Sequence, residues 1–211
     1  MKTLKFGNIR VAYTEKEDGN QRLKENREKV QKKLGIGEIL ISNQKHTNIV
    51  TTPENISIQS DGIYTNTKNL PVGVLTADCV PVVLYNQKEI AVIHAGWRGA
   101  VSGILESGID HFEYEVEGAF IGPSIRNCCY EVQDDFIENL KKMNKFDEKF
   151  IFNKNEKKFF DLQYFIESVL KKYGIKNIYD ISLCTKCDEN LFSYRKGDFN
   201  ERILTIGWIE D

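Results

Sequence analysis

With 211 residues, 41% of them hydrophobic and 28% charged, the chain is long enough to bury a core and too apolar to be disordered or fibrous. The formal net charge of −2, with Lys and Arg spread along the sequence, argues against a nucleic-acid binder, which concentrates positive charge on one face. No stretch approaches the ~18 consecutive apolar residues of a membrane span, and the first ten residues contain no apolar run suited to a signal peptide. A reducing cytoplasm is the expected compartment, and the 5 cysteines read as thiols or metal ligands.

In chain order, residues 9–14 alternate like a strand. Residues 21–34 are rich in helix formers and end at Gly35. Residues 38–43 predict a strand running into Gln44, Lys45 and His46. The segments 72–79, 81–86 and 90–95 are short, nearly continuous apolar runs, as in strands buried on both faces. Gly96-Trp97-Arg98-Gly99 then makes a turn opening a helix to about residue 108, and 117–123 is another buried strand. Residues 131–143 predict a helix, and 150–161 a hairpin turning near Asn153 to Glu156. Leu162, Phe165, Ile166, Val169, Leu170 and Tyr173 repeat at helical spacing, with Asp161 placed to cap and Gly174 to stop. Residues 177–185 and 202–209 are late strands. With no repeat and no long polar linker, one α+β domain over 1–211 is expected, with mixed sheets flanked by helices.

The chain has 3 histidines, and two of them, His46 and His94, end predicted strands; Cys79 closes another. Strand ends are held by rigid scaffold yet remain accessible to substrate. Two imidazoles and a thiolate suit zinc, and three protein ligands are the pattern of a catalytic rather than a closed structural site. Taken singly, each residue also reads as ordinary structure, and spacings of 33 and 15 residues match no metal motif, so the residues alone leave the triad open.

The turn at Gly96–Gly99 presents free backbone N–H groups, and Arg98 adds a forked cation. An anion site beside the metal and a solvated surface arginine both fit. Phe192-Ser193-Tyr194-Arg195 offers an aromatic and a cation for stacking or anion binding. Asp78 is a candidate acid, base or partner of a ligating histidine, provided the backbone bends there, because neighbours on a regular strand face opposite ways. Cys184-Thr185-Lys186-Cys187 lacks a second pair; Cys128-Cys129 completes a structural zinc site only if the fold brings the two together. His111, in a charged stretch, reads as a surface residue.

In order, Asn43-Gln44-Lys45-His46, Thr76-Ala77-Asp78-Cys79-Val80-Pro81, His94-Ala95-Gly96-Trp97-Arg98-Gly99, Ile121-Gly122-Pro123 with Cys128-Cys129-Tyr130-Glu131-Val132, and Cys184-Thr185 with Phe192-Ser193-Tyr194-Arg195 resemble the YfiH-like family. That family has long carried the labels polyphenol oxidase and laccase domain. The resemblance implies zinc at His46, Cys79 and His94. It also implies two packed mixed sheets with outer helices, as in a bacterial cytotoxic-factor catalytic domain. It implies phosphorolysis of adenosine, inosine and methylthioadenosine and deamination of adenosine, with purine nucleoside and phosphate as small-molecule partners. Asn43, Arg98 and Arg195 are the matched candidates for substrate binding, and Asp78, Cys79 and Arg195 for catalysis.

Some relatives are instead described as peptidoglycan editing factors removing L-serine from a UDP-MurNAc precursor. That amidase is metal- or cysteine-dependent, and in its cysteine version Cys79 is the nucleophile and His94 its base. The chain departs from the family at Lys196, commonly Arg, and at Glu201, commonly Gly before an Arg. A multicopper oxidase needs more imidazoles than 3 histidines supply, and no His-x-His pair occurs.

Overall fold

In the computed structural model, which describes residues 1–211, the chain opens with an antiparallel hairpin of β1 (Lys2–Phe6) and β2 (Ile9–Tyr13). Helix α1 (Lys24–Leu34) ends at Gly35, as its sequence predicts, in the left-handed region. It begins three residues later than the run of helix formers because the preceding segment is tied elsewhere. The Gln21 N–H donates to the Arg202 carbonyl, and the Gln21 side chain donates to the carbonyls of Asp18 and Gly19.

Two short strands, β3 (Leu40–Ile41) and β4 (Val50–Thr51), precede β5 (Gly62–Thr65) and the apolar β6 (Val72–Thr76), β7 (Val80–Tyr85) and β8 (Ile90–Ala95). The helix expected to 108 is two pieces, α2 (Trp97–Val101) and α3 (Ile104–Ile109), broken where Gly103 turns to φ +95°. β9 (Gly118–Ile121) and β10 (Glu131–Val132) follow. Helix α4 (Asp134–Lys142) starts later than predicted because Glu131 and Val132 pair with a strand.

The hairpin of β11 (Ile151–Lys154) and β12 (Lys157–Phe160) turns at Asn155 and Glu156, within the predicted span. Asp161 caps α5 (Leu162–Lys172) by accepting from the Tyr164 N–H. The predicted strand 177–185 is regular only as β13 (Asn177–Asp180). The last strand is β14 (Ile203–Ile209).

Two mixed sheets dominate, in the orders β1-β2-β14-β6-β3 and β13-β9-β7-β8-β5-β4. The pairs β3–β6, β4–β5 and β9–β13 are parallel and the others antiparallel. A third, small sheet, β10-β12-β11, is absent from the sequence expectation of two. Side-chain alternation explains the layering. Ile9, Val11 and Tyr13 meet Ile90, Val92 and Val83 between the two large sheets. Ala12, Leu204, Ile206 and Trp208 face the other way, toward Val30 of α1. Val82, Leu84, Ala91 and Ile93 face Ile104, Leu105, Phe165 and Ile166 of α3 and α5. This is an α+β domain of two mixed sheets flanked by helices. No helix is long and apolar enough to cross a membrane.

Three connections fix the site. The chain leaves the first sheet at Thr76, bends through Ala77–Cys79 and enters the second at Val80, so Pro81 does not end a strand but sits in β7 opposite His94. The loop from β3 to β4 crosses between the same sheets. β8 delivers His94 one residue before its end.

Candidate metal centre

The side chains of His46, Cys79 and His94 meet where these connections converge, with one donor atom from each within 4.8 Å of the others. The Cys79 Sγ lies 3.8 Å from His46 Nε2. A tetrahedral zinc with bonds of about 2.3 Å to sulfur and about 2.05 Å to nitrogen places those atoms about 3.6 Å apart. The two imidazole rings are 4.9 Å apart at 72° to one another. His46 occupies the left-handed region at φ 59° and Asp78 lies at φ 90°. The bend that the sequence required for Asp78 and Cys79 to share a site is therefore present.

Asp61 braces the centre, and the sequence reading missed it. Its side chain is fully buried. One oxygen accepts from His94 Nδ1 (2.7 Å) and the His46 N–H (3.0 Å). The other accepts from the N–H of Lys45 (3.1 Å), the N–H of Thr47 (2.6 Å) and the Thr47 hydroxyl (2.8 Å). Because an ionised carboxylate only accepts, His94 carries its proton on Nδ1 and presents Nε2 to the centre. Burial opposes ionisation, but His94 and the Thr47 and Lys45 donors hold the Asp61 carboxyl far below the usual carboxylate range. Asp61 follows two polar residues and precedes a glycine, the pattern of an exposed turn, which is why it carried no signal.

Burial pushes the Cys79 thiol up, yet the charge of His94 and the hydrogen bonds of both imidazoles outweigh it and bring it to about 6. His94 is opposed by burial and raised by Cys79 and Asp61 to about 9. With its Nδ1 bonded to Asp61, His94 turns Nε2 toward Cys79 and His46, so one sulfur and two ring nitrogens face a common point, a donor set suited to a metal ion once the thiol and imidazole protons are lost. Gly96 makes room for it: a Cβ there would lie 2.8 Å from His46 Cδ2 and 3.2 Å from Cys79 Sγ.

The centre lines a cleft of about 1010 Å³ that also receives Arg22, Arg27, Arg98, Arg195 and Arg202 against a single carboxylate, Asp78. The Arg98 guanidinium lies 4.5 Å from the Trp97 ring centroid, and that of Arg195 lies 5.3 Å from Tyr130. Asp78 is buried, its Oδ1 accepting from the Thr185 hydroxyl (2.7 Å) and its Oδ2 from the Arg195 N–H (2.8 Å). It thereby fixes the segment that carries Arg195.

Of the residues singled out in the sequence, Asn43, Asp78, Arg98 and Arg195 all line this cleft. Of the two readings left open for the Gly96–Gly99 turn, Arg98 is at the cleft and not merely on the surface, while α2 has five residues and adds little helix dipole, so the arginines themselves supply the positive field. Lys196 points elsewhere, its Nζ donating to the Asp188 carbonyl at 2.7 Å. His111 bonds the Ser107 carbonyl through Nδ1, apart from the centre. Arg22 and Arg27 lie in the run of helix formers at 21–34, where nothing in the local sequence marks them for a binding site. They reach the cleft because Asn20 and Gln21 are bonded to the backbone of Arg202, which brings the start of α1 over β14.

A family model described as multi-copper polyphenol oxidoreductase laccase matches residues 6–210. A protein of Aquifex aeolicus named purine nucleoside phosphorylase is 36% identical over 177 residues, covering 81% of this chain and 82% of that one. One of the same name from Haemophilus influenzae is 30% identical over 205 residues, covering 92% and 84%. The crystal structure of Neisseria meningitidis protein NMB0706 superposes with a TM-score of 0.88 at 24% identity, over 100% of this chain and 99% of that one. Bacillus licheniformis YfiH gives 0.84 at 24%, over 96% and 93%. The chain belongs to the YfiH-like, laccase-domain family.

Proposed function

We propose that this chain is a zinc-dependent purine nucleoside phosphorylase, acting on adenosine, inosine and methylthioadenosine, that also deaminates adenosine. The observation that carries the reading is the convergence of His46, Cys79 and His94 in a cleft with five arginines and one carboxylate. Relatives named purine nucleoside phosphorylase at 30–36% identity support it. Zinc is the ion of choice for one thiolate and two imidazoles, and when bound it supplies Lewis-acid charge beside the reacting purine. Copper oxidation of the multicopper type is disfavoured by the supply of 3 histidines.

In phosphorolysis an oxygen of phosphate bonds to the ribose C1′, the C1′–N bond breaks, and the base leaves with the electron pair and takes up a proton. In deamination a water oxygen bonds to the purine C6 and ammonia leaves. Arg98 and Arg195, with Arg22, Arg27 and Arg202 near them, hold the phosphate. Asn43 presents an amide donor and acceptor to the substrate. Trp97, Tyr130 and Tyr194 line the cleft with aromatic faces for the base. Asp78 orients Arg195 and is the one carboxylate in reach to move a proton.

A cysteine amidase acting on a serine-bearing cell-wall precursor uses the same cleft with Cys79 as nucleophile, a role that its lowered pKa fits. A thiolate engaged by a metal is a poor free nucleophile, so metal dependence separates the two. Zinc-loaded protein with adenosine and phosphate is expected to yield adenine and a ribose phosphate. Without phosphate it is expected to yield inosine, and chelation abolishes both products. No product above the chelated control, or amide hydrolysis that survives chelation, overturns the reading.

A further inference from the structure

Four of the five cysteines take no part in the cleft chemistry, and the fold gathers them. One sulfur from each of Cys128, Cys129, Cys184 and Cys187 lies within 4.8 Å of the others. The Cys187 Sγ is 3.4 Å from that of Cys129 and 3.8 Å from that of Cys128. A disulfide requires about 2.05 Å, so none of these contacts is a bond. Four sulfurs about 2.3 Å from a common zinc form a tetrahedron with edges of about 3.8 Å. A polynuclear iron–sulfur cluster spreads its thiolates around several irons and needs a wider cage.

The two cysteine turns are joined before any ion is considered. The Ser124 N–H donates to the Leu183 carbonyl (3.2 Å) and the Thr185 N–H to the Ser124 carbonyl (3.1 Å). Arg126 grips Asp180 through two bonds of 2.8 and 2.7 Å. Each pair then sits in its own tight turn. The Cys129 N–H donates to the Arg126 carbonyl (2.9 Å), and the N–H groups of Cys187 and Asp188 donate to the Cys184 carbonyl (3.1 and 2.9 Å).

We propose that Cys128, Cys129, Cys184 and Cys187 bind a second zinc ion in a closed, four-thiolate structural site distinct from the His46–Cys79–His94 centre. Binding releases the thiol protons to solvent and leaves no position for substrate. What the ion staples is the wall of the cleft. Thr185, inside the Cys184–Cys187 turn, donates to Asp78 Oδ1 at 2.7 Å. Tyr130 and Glu131 directly follow Cys129. Arg195 places its guanidinium over the Tyr130 ring and donates to the Glu131 carbonyl (3.1 Å). The second ion therefore ties the element carrying Arg195 to the one that receives it.

Metal analysis of the full chain, purified from zinc-supplemented cells without chelator, tests this without reference to nucleoside turnover. Two zinc ions per chain are expected, falling to one in Cys128→Ser/Cys184→Ser. His46→Ala/His94→Ala is expected to retain one, with a zinc X-ray absorption spectrum of sulfur neighbours only, at about 2.3 Å. This second variant decides the matter even if the cysteine variant fails to fold. A single zinc in the unsubstituted chain, iron in place of the second zinc, nitrogen neighbours in the histidine variant, or a disulfide among the four cysteines under anaerobic purification overturns the proposal.

Discussion

The two cysteine-bearing clusters of this molecule are built on opposite plans. The His46–Cys79–His94 group stands at the ends of sheet connections and is braced from behind by one buried carboxylate that touches both histidine segments. The Cys128–Cys129–Cys184–Cys187 group stands on two tight turns, joined by main-chain bonds and an Arg126–Asp180 pair and tied to the cleft through Thr185 and Asp78. The first has three donors and a large cleft in front; the second has four and no comparable cleft. Scaffold rigidity goes with reactivity in the first, and closure with stapling in the second.

The sharpest way to break that contrast is to remove a donor from the first centre. If the proposed activities are right, Cys79→Ala is expected to reduce them to the level of metal-stripped protein while leaving Tm within a few degrees, because sheet packing holds the fold with or without an ion at this centre. Calorimetry together with product assays checks it; a collapse of Tm comparable to that of a core deletion would erase the distinction between the centres.

Asp61→Asn comes next. Loss of the carboxylate that orients His94 is expected to weaken zinc binding about 10–100-fold. Turning an amide N–H2 donor toward N–H groups that had bonded the carboxylate is expected to cost about 2–3 kcal/mol of stability. The sign of the pH effect follows from the depressed folded value of Asp61. Its stabilisation is complete above the unfolded value of about 3.9 and is lost as pH falls below about 4. Acid unfolding of the unsubstituted chain should therefore be steeper than that of Asp61→Asn.

Smaller effects are expected on the cleft wall. Arg195→Lys keeps the charge but loses the fork and the guanidinium held over Tyr130, and is expected to raise the KM for phosphate about tenfold with a lesser change in kcat. An unchanged KM would remove Arg195 from the phosphate site. Lys196→Ala, by contrast, should change kcat/KM less than about twofold, because its ammonium bonds the Asp188 carbonyl outside the cleft. A large loss there would mean that the cleft extends further than its lining residues indicate.

How much of this was legible in the sequence depends on whether burial leaves a hydrophobic trace. The runs at 72–76, 80–85 and 90–95 announced strands because both faces are buried. β1 left no trace, since Lys2–Phe6 lies at a sheet edge with only partial burial. β5 was missed because Ser60, Asp61 and Gly62 look like a turn although all three are buried. The three donors of the first centre were named from residue chemistry and family resemblance, but their brace was not, since a buried aspartate among polar residues has no pattern of its own. The placement of Arg22 and Arg27 and the pairing of Cys128-Cys129 with Cys184 and Cys187 depend on contacts between segments 55 or more residues apart, which no local spacing encodes.

Crystals of the full chain, grown from protein never exposed to chelator, allow diffraction at energies on either side of the zinc absorption edge, the most direct test of the central claim. An anomalous peak about 2.0–2.3 Å from His46 Nε2, Cys79 Sγ and His94 Nε2 together is the expected result. No peak among those three side chains, in protein that cleaves nucleosides with phosphate, would contradict the assignment of the chemistry to this centre.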